Sequence, residues 1–238
     1  MAYSLKEINE AVRSDPKGFV EECDVAYNKK IEAAARRIAD NRSKSRIVLL
    51  SGPSGSGKTT TAKKIEAKLE EMGIQSHAIA MDNYFQTVDP ETAPRNRDGL
   101  IDYESPFCLD MDLLNRHFKM LDRGEKIHIP KFEFARQMRS AIKSSPLRLG
   151  KDEIAIFEGI HALNDIITGK NPDAMKVYIS ARSNVVDSAG KVVFKGTWMR
   201  LARRTVRDAK FRAWEPSVTI KMLSLIHISE PTRPISIS

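Results

Sequence analysis

A glycine-rich run, GPSGSGKT at positions 52–59, is the segment whose residue types and spacing indicate chemistry most directly. It fits the pattern G-x-x-x-x-G-K-[ST], in which glycines allow backbone N–H groups to turn inward around a phosphate. Lys58 would then reach the β- and γ-phosphates of a nucleotide, and the hydroxyl of Thr59 would bind magnesium. The run predicts a nucleotide site with the candidate residues Gly52, Ser54, Gly55, Ser56, Gly57, Lys58, Thr59 and Thr60.

Two acidic residues follow apolar segments that are typical of buried strands. Asp82 comes directly after residues 79–81, and Glu158 directly after residues 154–157. The carboxyl ends of adjacent parallel strands open onto one crevice. There Asp82 could accept a proton from an attacking hydroxyl. Glu158 could support magnesium, which takes few protein ligands. Each acid could equally be an ordinary loop or strand-end residue, so the residues alone leave both interpretations open.

Basic residues gather near the end of the chain, whose net charge is +8. Arg200, Arg203, Arg204 and Arg207 recur at helical spacing and would lie together on one helix. Such a helix could close over ATP, exclude water and stabilise the charge of a transferring phosphoryl group. A solvated basic face is the alternative. Since the chain has a phosphate motif and no recognisable nucleic-acid motif, we expect phosphate rather than nucleic acid as the partner.

The elements that must position these residues alternate along the chain. Apolar runs predict strands at 47–50, 79–81, 154–157 and 177–179, and a helix follows the glycine-rich turn with Ala62, Ile65, Leu69 and Met72 on one face. Strands alternating with helices predict an α/β fold of the P-loop NTPase type, with three layers and a mainly parallel sheet. Residues 1–45 are expected to form a helical extension, and 86–150 to form loops and short elements near the substrate.

Composition narrows the class of protein. The chain has 238 residues, two widely spaced cysteines and no apolar run long enough to span a membrane. We therefore expect a cytoplasmic protein. Residues 223–238, LSLIHISEPTRPISIS, resemble a translated sequencing adaptor. We expect them to be a non-native tail, and the natural chain to continue beyond about residue 222.

Taken together, six ordered motifs resemble the uridine kinase and phosphoribulokinase family of P-loop kinases, and look closest to bacterial uridine kinase-like nucleoside kinases. They are GPSGSGKTT at 52–60, MDNYF at 81–85, DGLIDYESP at 98–106, IPKFEF at 129–134, FEGIHALN at 157–164 and RLARRTVRDAKFR at 200–212. The resemblance implies a P-loop kinase domain at 46–222. It further implies an enzyme that phosphorylates uridine or cytidine at the 5′-hydroxyl, with ATP and Mg²⁺. A small nucleoside is the implied partner, and a homo-oligomer is possible in such a family.

The resemblance also assigns roles by position. Asp82 would be the base, Tyr84 would line the substrate pocket, and Asp102 would hold the ribose hydroxyls. Thr59 and Glu158 would support the metal. Arg203, Arg204 and Arg207 would belong to the lid, with Arg207 near the transferring phosphate.

Base recognition departs from the family pattern. Uridine and cytidine kinases typically use a tyrosine and a histidine where this chain has Phe132 and Gln137. Phe132 can stack on a base but cannot donate a hydrogen bond. The alternatives are a kinase for another small metabolite, such as a phosphopentose or pantothenate, and a nucleotide-sensing or RNA-binding protein without turnover. Asp82 argues against the sensor, which needs no carboxylate aimed at an acceptor.

Overall fold

The computed structural model describes residues 2–95, 99, 101–102, 105–134, 136–180, 183–212 and 214–220. These residues form two compact units. One draws on 2–34, 52–58 and the described part of 178–220, and the other on 35–51 and the described part of 59–177. The boundaries expected after residues 45 and 222 stay predictions, and the expected non-native tail lies outside the described residues.

The secondary structure consists of short strands and six main helices. The strands are β1 (Ala2–Ser4), β2 (Ile47–Ser51), β3 (Ser76–Ala80), β4 (Ile127–Glu133), β5 (Met138–Leu147), β6 (Ile154–Glu158), β7 (Met175–Tyr178), β8 (Asn184–Val186) and β9 (Val192–Phe194). The helices are α1 (Leu5–Ser14), α2 (Pro16–Asn41), α3 (Lys58–Glu71), α4 (Met111–Asp122), α5 (Asp165–Thr168) and α6 (Gly196–Arg212). Two 3-10 helices span Met81–Tyr84 and Pro106–Cys108.

A central sheet with the strand order β3-β6-β2-β7 organises the larger unit. β6 pairs in parallel with both β2 and β3. Every residue of β2 and β6 is buried, as expected for apolar strands covered on both faces. The predicted α/β class with a mainly parallel sheet is confirmed.

Helices α3 and α4 contribute apolar faces to this unit. On α3, Ala62, Ile65 and Leu69 are buried as predicted. Met72, expected on the same face, is exposed because α3 ends at Glu71. On α4, Phe118 is fully buried, and its ring lies edge-on to that of Phe157 with 4.6 Å between centroids.

The region 86–150 is more regular than expected. It contains the twelve-residue helix α4 and the antiparallel hairpin of β4 and β5, with seven and ten residues. Prolines made this hairpin hard to recognise, because Pro is unusual inside paired strands. Pro130 and Pro146 lie within it, and the register shifts between Pro130 and Phe132. The expectation of loops and short elements was therefore wrong for this hairpin and for α4.

The smaller unit contains α1, the part of α2 up to residue 34, and the arginine-rich helix. The helical lead-in is confirmed by α1 and α2, and the arginine-rich helix by α6. Strand β1 was not expected, since three residues carry no readable periodicity. It pairs in parallel with β8, which also pairs with β9. Across the described residues, no helix is both long and apolar enough to cross a membrane.

The aromatic contact in the core gives a test of the fold. We predict that Phe118→Ala lowers the free energy of unfolding by about 3–5 kcal/mol, because it removes buried surface and leaves a cavity. Phe107→Ala is the matched control, since that ring is 69% exposed, and it should change stability by less than about 0.5 kcal/mol. Urea unfolding measures both, and equal effects would contradict the assignment of Phe118 to the core.

Candidate active site

The glycine-rich turn at 52–57 needs glycine for two physical reasons. Gly55 and Gly57 have φ values of +77° and +97°, in the left-handed region that residues with a Cβ rarely adopt. A Cβ on Gly55 would also lie 3.0 Å from the carbonyl oxygen of Arg200. The turn is therefore built from residues that the sequence pattern singles out, and side chains at these two positions would strain or displace it.

Some polar groups of this turn are fixed by hydrogen bonds within it, whereas the Ser56 hydroxyl forms none with the described residues. The backbone N–H of Ser56 donates to the carbonyl of Pro53 at 3.1 Å, and the Lys58 ammonium donates to the same oxygen at 3.3 Å. The Ser56 hydroxyl is buried and has no hydrogen-bond partner among the described residues. A buried hydroxyl without a partner is costly, so its position fits a site that takes an anionic oxygen.

The arginines of α6 divide into two groups within the smaller unit. Arg200 is buried, and its Nε donates to the carbonyl of Ser54 at 3.3 Å. Arg203 is exposed, and its Nη2 lies 3.6 Å from the position that a Cβ on Gly57 would occupy. The first turns of α6 thus lie directly against the glycine-rich turn.

The other two predicted lid arginines bind a buried acid. Asp208 has no exposed surface. Its carboxylate accepts from Arg204 Nε at 3.1 Å and from Arg207 Nη2 at 2.9 Å. The expectation that all four arginines share one ligand-facing surface did not anticipate Asp208. Roles for Arg204 and Arg207 toward a nucleotide stay predictions.

In the larger unit, the predicted metal residues meet. The Thr59 hydroxyl donates to the carboxylate of Glu158 at 2.8 Å. Thr59 is the second residue of α3, and Glu158 is the last residue of β6. The side chain of Ser51, which ends β2, donates to the carbonyl of Ile160 at 3.0 Å. These contacts fix the carboxyl ends of two neighbouring strands.

Asp82 is brought to the same edge of the sheet by the register and by a close backbone approach. Ala80 and Leu50 both lie opposite Glu158 in the parallel ladders. One residue further, a Cβ on Gly159 would lie only 2.8 Å from the Cβ of Met81. Asp82 directly follows Met81, and Glu158 directly precedes Gly159. The two acids therefore belong to touching segments, as expected of parallel strand ends.

Arg139 holds the turn that carries Asp82. Its Nη2 donates to the carbonyl of Tyr84 at 2.8 Å and its Nε to the carbonyl of Phe85 at 3.2 Å. Its Nη1 pairs with Asp110 at 2.9 Å. Burial alone would raise the pKa of Asp110, but the hydrogen bonds from Arg139 and from a backbone N–H bring it below its usual range. A charged pair therefore clamps the end of the 3-10 helix.

Tyr84, expected in the substrate pocket, is fully buried in this structure. Its hydroxyl lies 2.9 Å from Nδ1 of His117 in a hydrogen bond, and its ring packs near Phe157. Burial raises the pKa of the Tyr84 hydroxyl, and burial, together with the charge of Arg116, lowers the pKa of His117 to about 4. The pair is therefore neutral at pH 7, and a pocket role for Tyr84 stays a prediction.

The other expected substrate residues lie on different segments of the larger unit. Phe132 on β4 is buried between Phe85 and Phe134, at 5.6 and 5.1 Å between ring centroids. Gln137 has φ +51° in the hairpin turn, where its side-chain amide donates to the carbonyl of Phe134 at 2.7 Å. Asp102 is half-buried, and its carbonyl accepts from the thiol of Cys108 at 3.4 Å.

The structure therefore brings some expected site residues together and leaves others apart. Phe132 lies beside the turn of Asp82 through its contact with Phe85, whereas Gln137 serves the hairpin turn. Of the motif at 98–106, residues 98, 100, 103 and 104 lie outside the described residues.

Sequence reasoning missed Arg139, His117 and the need for Gly159. For Gly159, the only signal in the sequence was its position directly after Glu158. The partners of the other two lie 29 or more positions away along the chain.

Comparison with known proteins places this geometry in a family context. Residues 47–193 match the model of the Phosphoribulokinase / Uridine kinase family. The uridine kinase of Brevibacillus brevis is 29% identical over 79% of this chain and 80% of its own length. That of Staphylococcus aureus is 28% identical over 79% of this chain and 83% of its own length.

Two further matches differ in extent. The uridine kinase of Ureaplasma urealyticum is 29% identical over a match that covers 56% of this chain and only 61% of that relative's length. A solved protein from Silicibacter sp. TM1040, described as a fructose transport system kinase, has a TM-score of 0.57 at 18% identity. That match covers 82% of this chain and 88% of the solved one. At this identity it shows a shared fold.

The neutral pair of His117 and Tyr84 predicts how stability depends on pH. The folded pKa of His117, about 4, lies below its ordinary value of 6.5, so the unfolded chain binds this proton more readily. The stability is thus fully present above about pH 6.5 and is lost as pH falls toward 4, at about 1.4 kcal/mol per unit.

The measurement is urea unfolding at pH 7 and pH 5. His117→Gln should lose less stability between these values than the unaltered protein, by roughly 2 kcal/mol. His128→Gln, which alters an exposed histidine, is the control and should behave as the unaltered protein does. If His117→Gln has the same pH dependence as the unaltered protein, His117 is not held neutral.

Proposed function

Since the chain belongs to the phosphoribulokinase and uridine kinase family, we propose that it transfers the γ-phosphoryl group of ATP to the 5′-hydroxyl of a nucleoside, with uridine or cytidine as the acceptor. The chain is a phosphotransferase of this family, and the acceptor and the roles of individual residues are the proposal. The relatives named uridine kinases support the choice of acceptor.

One observation carries the proposal. Thr59 is hydrogen-bonded to Glu158, and the residue after Glu158 lies against Met81, the residue before Asp82. A hydroxyl on the phosphate-binding helix, an acid and a second acid are therefore gathered at one edge of a parallel sheet. That edge is where ligands of open α/β sheets bind. A protein that only sensed nucleotides would not require the second acid.

In the proposed reaction, Asp82 binds the acceptor hydroxyl and takes its proton as the oxygen attacks the γ-phosphorus. The new oxygen–phosphorus bond forms as the bond to the bridging oxygen breaks, and ADP leaves with that electron pair. The backbone N–H groups of residues 52–58 and the Lys58 ammonium would bind the phosphates. The exposed Arg203 would add positive charge beside them, where the transition state is negative.

Thr59 and Glu158 are the residues that would hold magnesium. Their oxygens fit a hard cation that takes few protein ligands and keeps several waters. Within the described residues no group of three or more His, Cys, Asp and Glu side chains could hold a metal, so this pair is the site that the donor chemistry supports. The ion would neutralise charge on the β- and γ-phosphate oxygens.

The acceptor site would use the hairpin and the segment around Asp102. Phe132, Phe85 and Phe134 form an aromatic cluster beside the turn of Asp82. An aromatic face can stack on a nucleobase without hydrogen-bonding it. We therefore propose weaker discrimination between bases than a site with a hydrogen-bonding partner would provide.

An acceptor panel tests the proposed function. ADP release should be stimulated by uridine or cytidine over a phosphopentose or pantothenate, and Asp82→Asn should lower kcat by at least about 100-fold while ATP binding persists. The amide keeps the shape but cannot take the proton. Asp152→Asn, a change of an exposed acid, is the control and should leave kcat unchanged.

The panel can also refute the proposal. Turnover by Asp82→Asn at the rate of the control would rule out its role as base. Stimulation by only a non-nucleoside acceptor would keep the phosphotransferase and reject the nucleoside.

The clamp on the turn of Asp82 gives a second prediction. Arg139→Lys keeps the charge but cannot reproduce the three-pronged contact with two carbonyls and Asp110. Because small misplacement of a reacting group is costly, kcat should fall about tenfold or more with little change in the KM for ATP. Arg136→Lys in the same hairpin, where the arginine is exposed, should leave both constants unchanged. A raised KM for ATP with normal kcat would show that Arg139 does not position the turn.

A further inference from the structure

A cleft of about 560 Å³ lies along the outer side of α4. Its lining is strongly basic, with four cationic side chains and one acid. The lining residues are Asp112, Asn115, Arg116, Lys119, Met120, Arg123 and Lys170. The volume falls within the range of small-molecule sites.

One wall of the cleft is a charged face of α4. Arg116, Lys119 and Arg123 follow one another at spacings of three and four residues, which places them along one side of the helix. The opposite side of α4 is apolar, and Leu114, Phe118 and Leu121 are buried in the core. The cationic side chains therefore line the outward side over about 10 Å of helix.

The segment that carries Lys170 is joined to α4 by side-chain amides. Asn115 is only 7% exposed, and its Nδ2 donates to the carbonyl of Met111 at 2.7 Å. Asn171 Nδ2 donates to Asn115 Oδ1 at 3.3 Å and to the carbonyl of Ile167 at 2.8 Å. These bonds hold the backbone beside Lys170 against α4, so the cleft is set by fixed contacts.

The lining of the cleft has a net positive charge, because it contains four cationic side chains and one acidic side chain. In the part of the chain that the structure describes, no salt bridge joins Arg116, Lys119 or Lys170 to a carboxylate, although the charge of Arg116 acts on Asp110. Arg123 has only an exposed contact with Glu125 at 3.9 Å. Like charges at these spacings destabilise a helix. Favourable interaction with the helix dipole explains cations in the last turn of α4, but not Arg116 or Lys170.

The cleft runs along α4 away from the edge of the sheet where Thr59, Glu158 and Asp82 are placed, and none of these three residues lines it. The first residues of α4 adjoin that edge, since the backbone N–H of Asp110 donates to the carbonyl of Tyr84 at 2.9 Å. The far end of α4 reaches the amino end of β2, where Arg46 donates to the carbonyl of Leu121 at 2.6 Å. The cleft follows the outer side of α4 from Asp112 to Arg123.

We propose that this cleft binds a small anion carrying two or more phosphate groups, such as a nucleoside di- or triphosphate, through residues other than the proposed catalytic ones. A single phosphate cannot span cations spread over about 10 Å of helix. Guanidinium groups bind phosphate through paired hydrogen bonds. A site bounded by one face of α4 and by Lys170 suits a compact ligand better than an extended RNA strand.

The test uses pyrophosphate and the full chain with Lys58→Ala, which we expect to weaken phosphate binding at the glycine-rich turn. Isothermal titration should detect pyrophosphate binding that falls at least about tenfold when Arg116→Glu and Lys119→Glu are added. The control pair, Lys29→Glu and Lys30→Glu, changes net charge equally on exposed residues of α2. It should leave affinity within about twofold.

Lys170→Gln, on the other wall, supplies a milder variant and should also weaken binding. Amide shifts in NMR spectra should change at 115–123 and 169–171 on adding pyrophosphate. Equal weakening by both charge-reversed pairs would show general attraction to net charge and would overturn the proposal. So would unchanged affinity in the cleft variants, or loss of RNA-oligonucleotide binding without loss of pyrophosphate binding.

Discussion

The contact between Gly159 and Met81 is the constraint on which the arrangement of the acids depends. A Cβ at position 159 would lie 2.8 Å from the Cβ of Met81, so only glycine allows the two chain segments to pass so closely. β6 pairs with β2 and β3, and this places Glu158 opposite Leu50 and Ala80. Thr59 then binds Glu158 from the start of α3. Sheet register and one missing side chain together gather groups that are far apart in sequence.

A second layer of contacts determines how rigidly the proposed base is held. The turn from Met81 to Tyr84 is short and would be mobile if its carbonyls were solvated. Arg139 binds two of the carbonyls at its end and is itself held by Asp110, the residue that caps α4. Phe132, opposite Arg139 in the hairpin, packs against Phe85. The hairpin proposed to contact an acceptor thus also supports the turn of Asp82 and would couple acceptor binding to the position of the proposed base.

The sequence predicted those parts of the molecule that depend on local pattern. Neighbouring residues in the sequence were enough to predict the buried strands β2 and β6 and the turn that needs glycine at 55 and 57. The clamp of Arg139 could not be predicted, because its partners lie up to 55 positions away and become neighbours only through the hairpin. Helical spacing correctly predicted that the arginines lie on one helix, α6, but could not show that Asp208 is buried and binds two of them. A sequence pattern shows how residues recur along a helix, whereas the burial of each residue depends on which other elements pack against that helix.

The most direct test of the account is a structure of the protein with Mg²⁺, a non-hydrolysable ATP analogue and uridine. We predict that the Asp82 carboxylate lies within hydrogen-bond distance of the uridine 5′-hydroxyl, with that oxygen in line with the γ-phosphorus. The metal should lie beside the oxygens of Thr59 and Glu158. An Asp82 carboxylate directed away from the acceptor, with another group contacting the 5′-hydroxyl, would contradict the account.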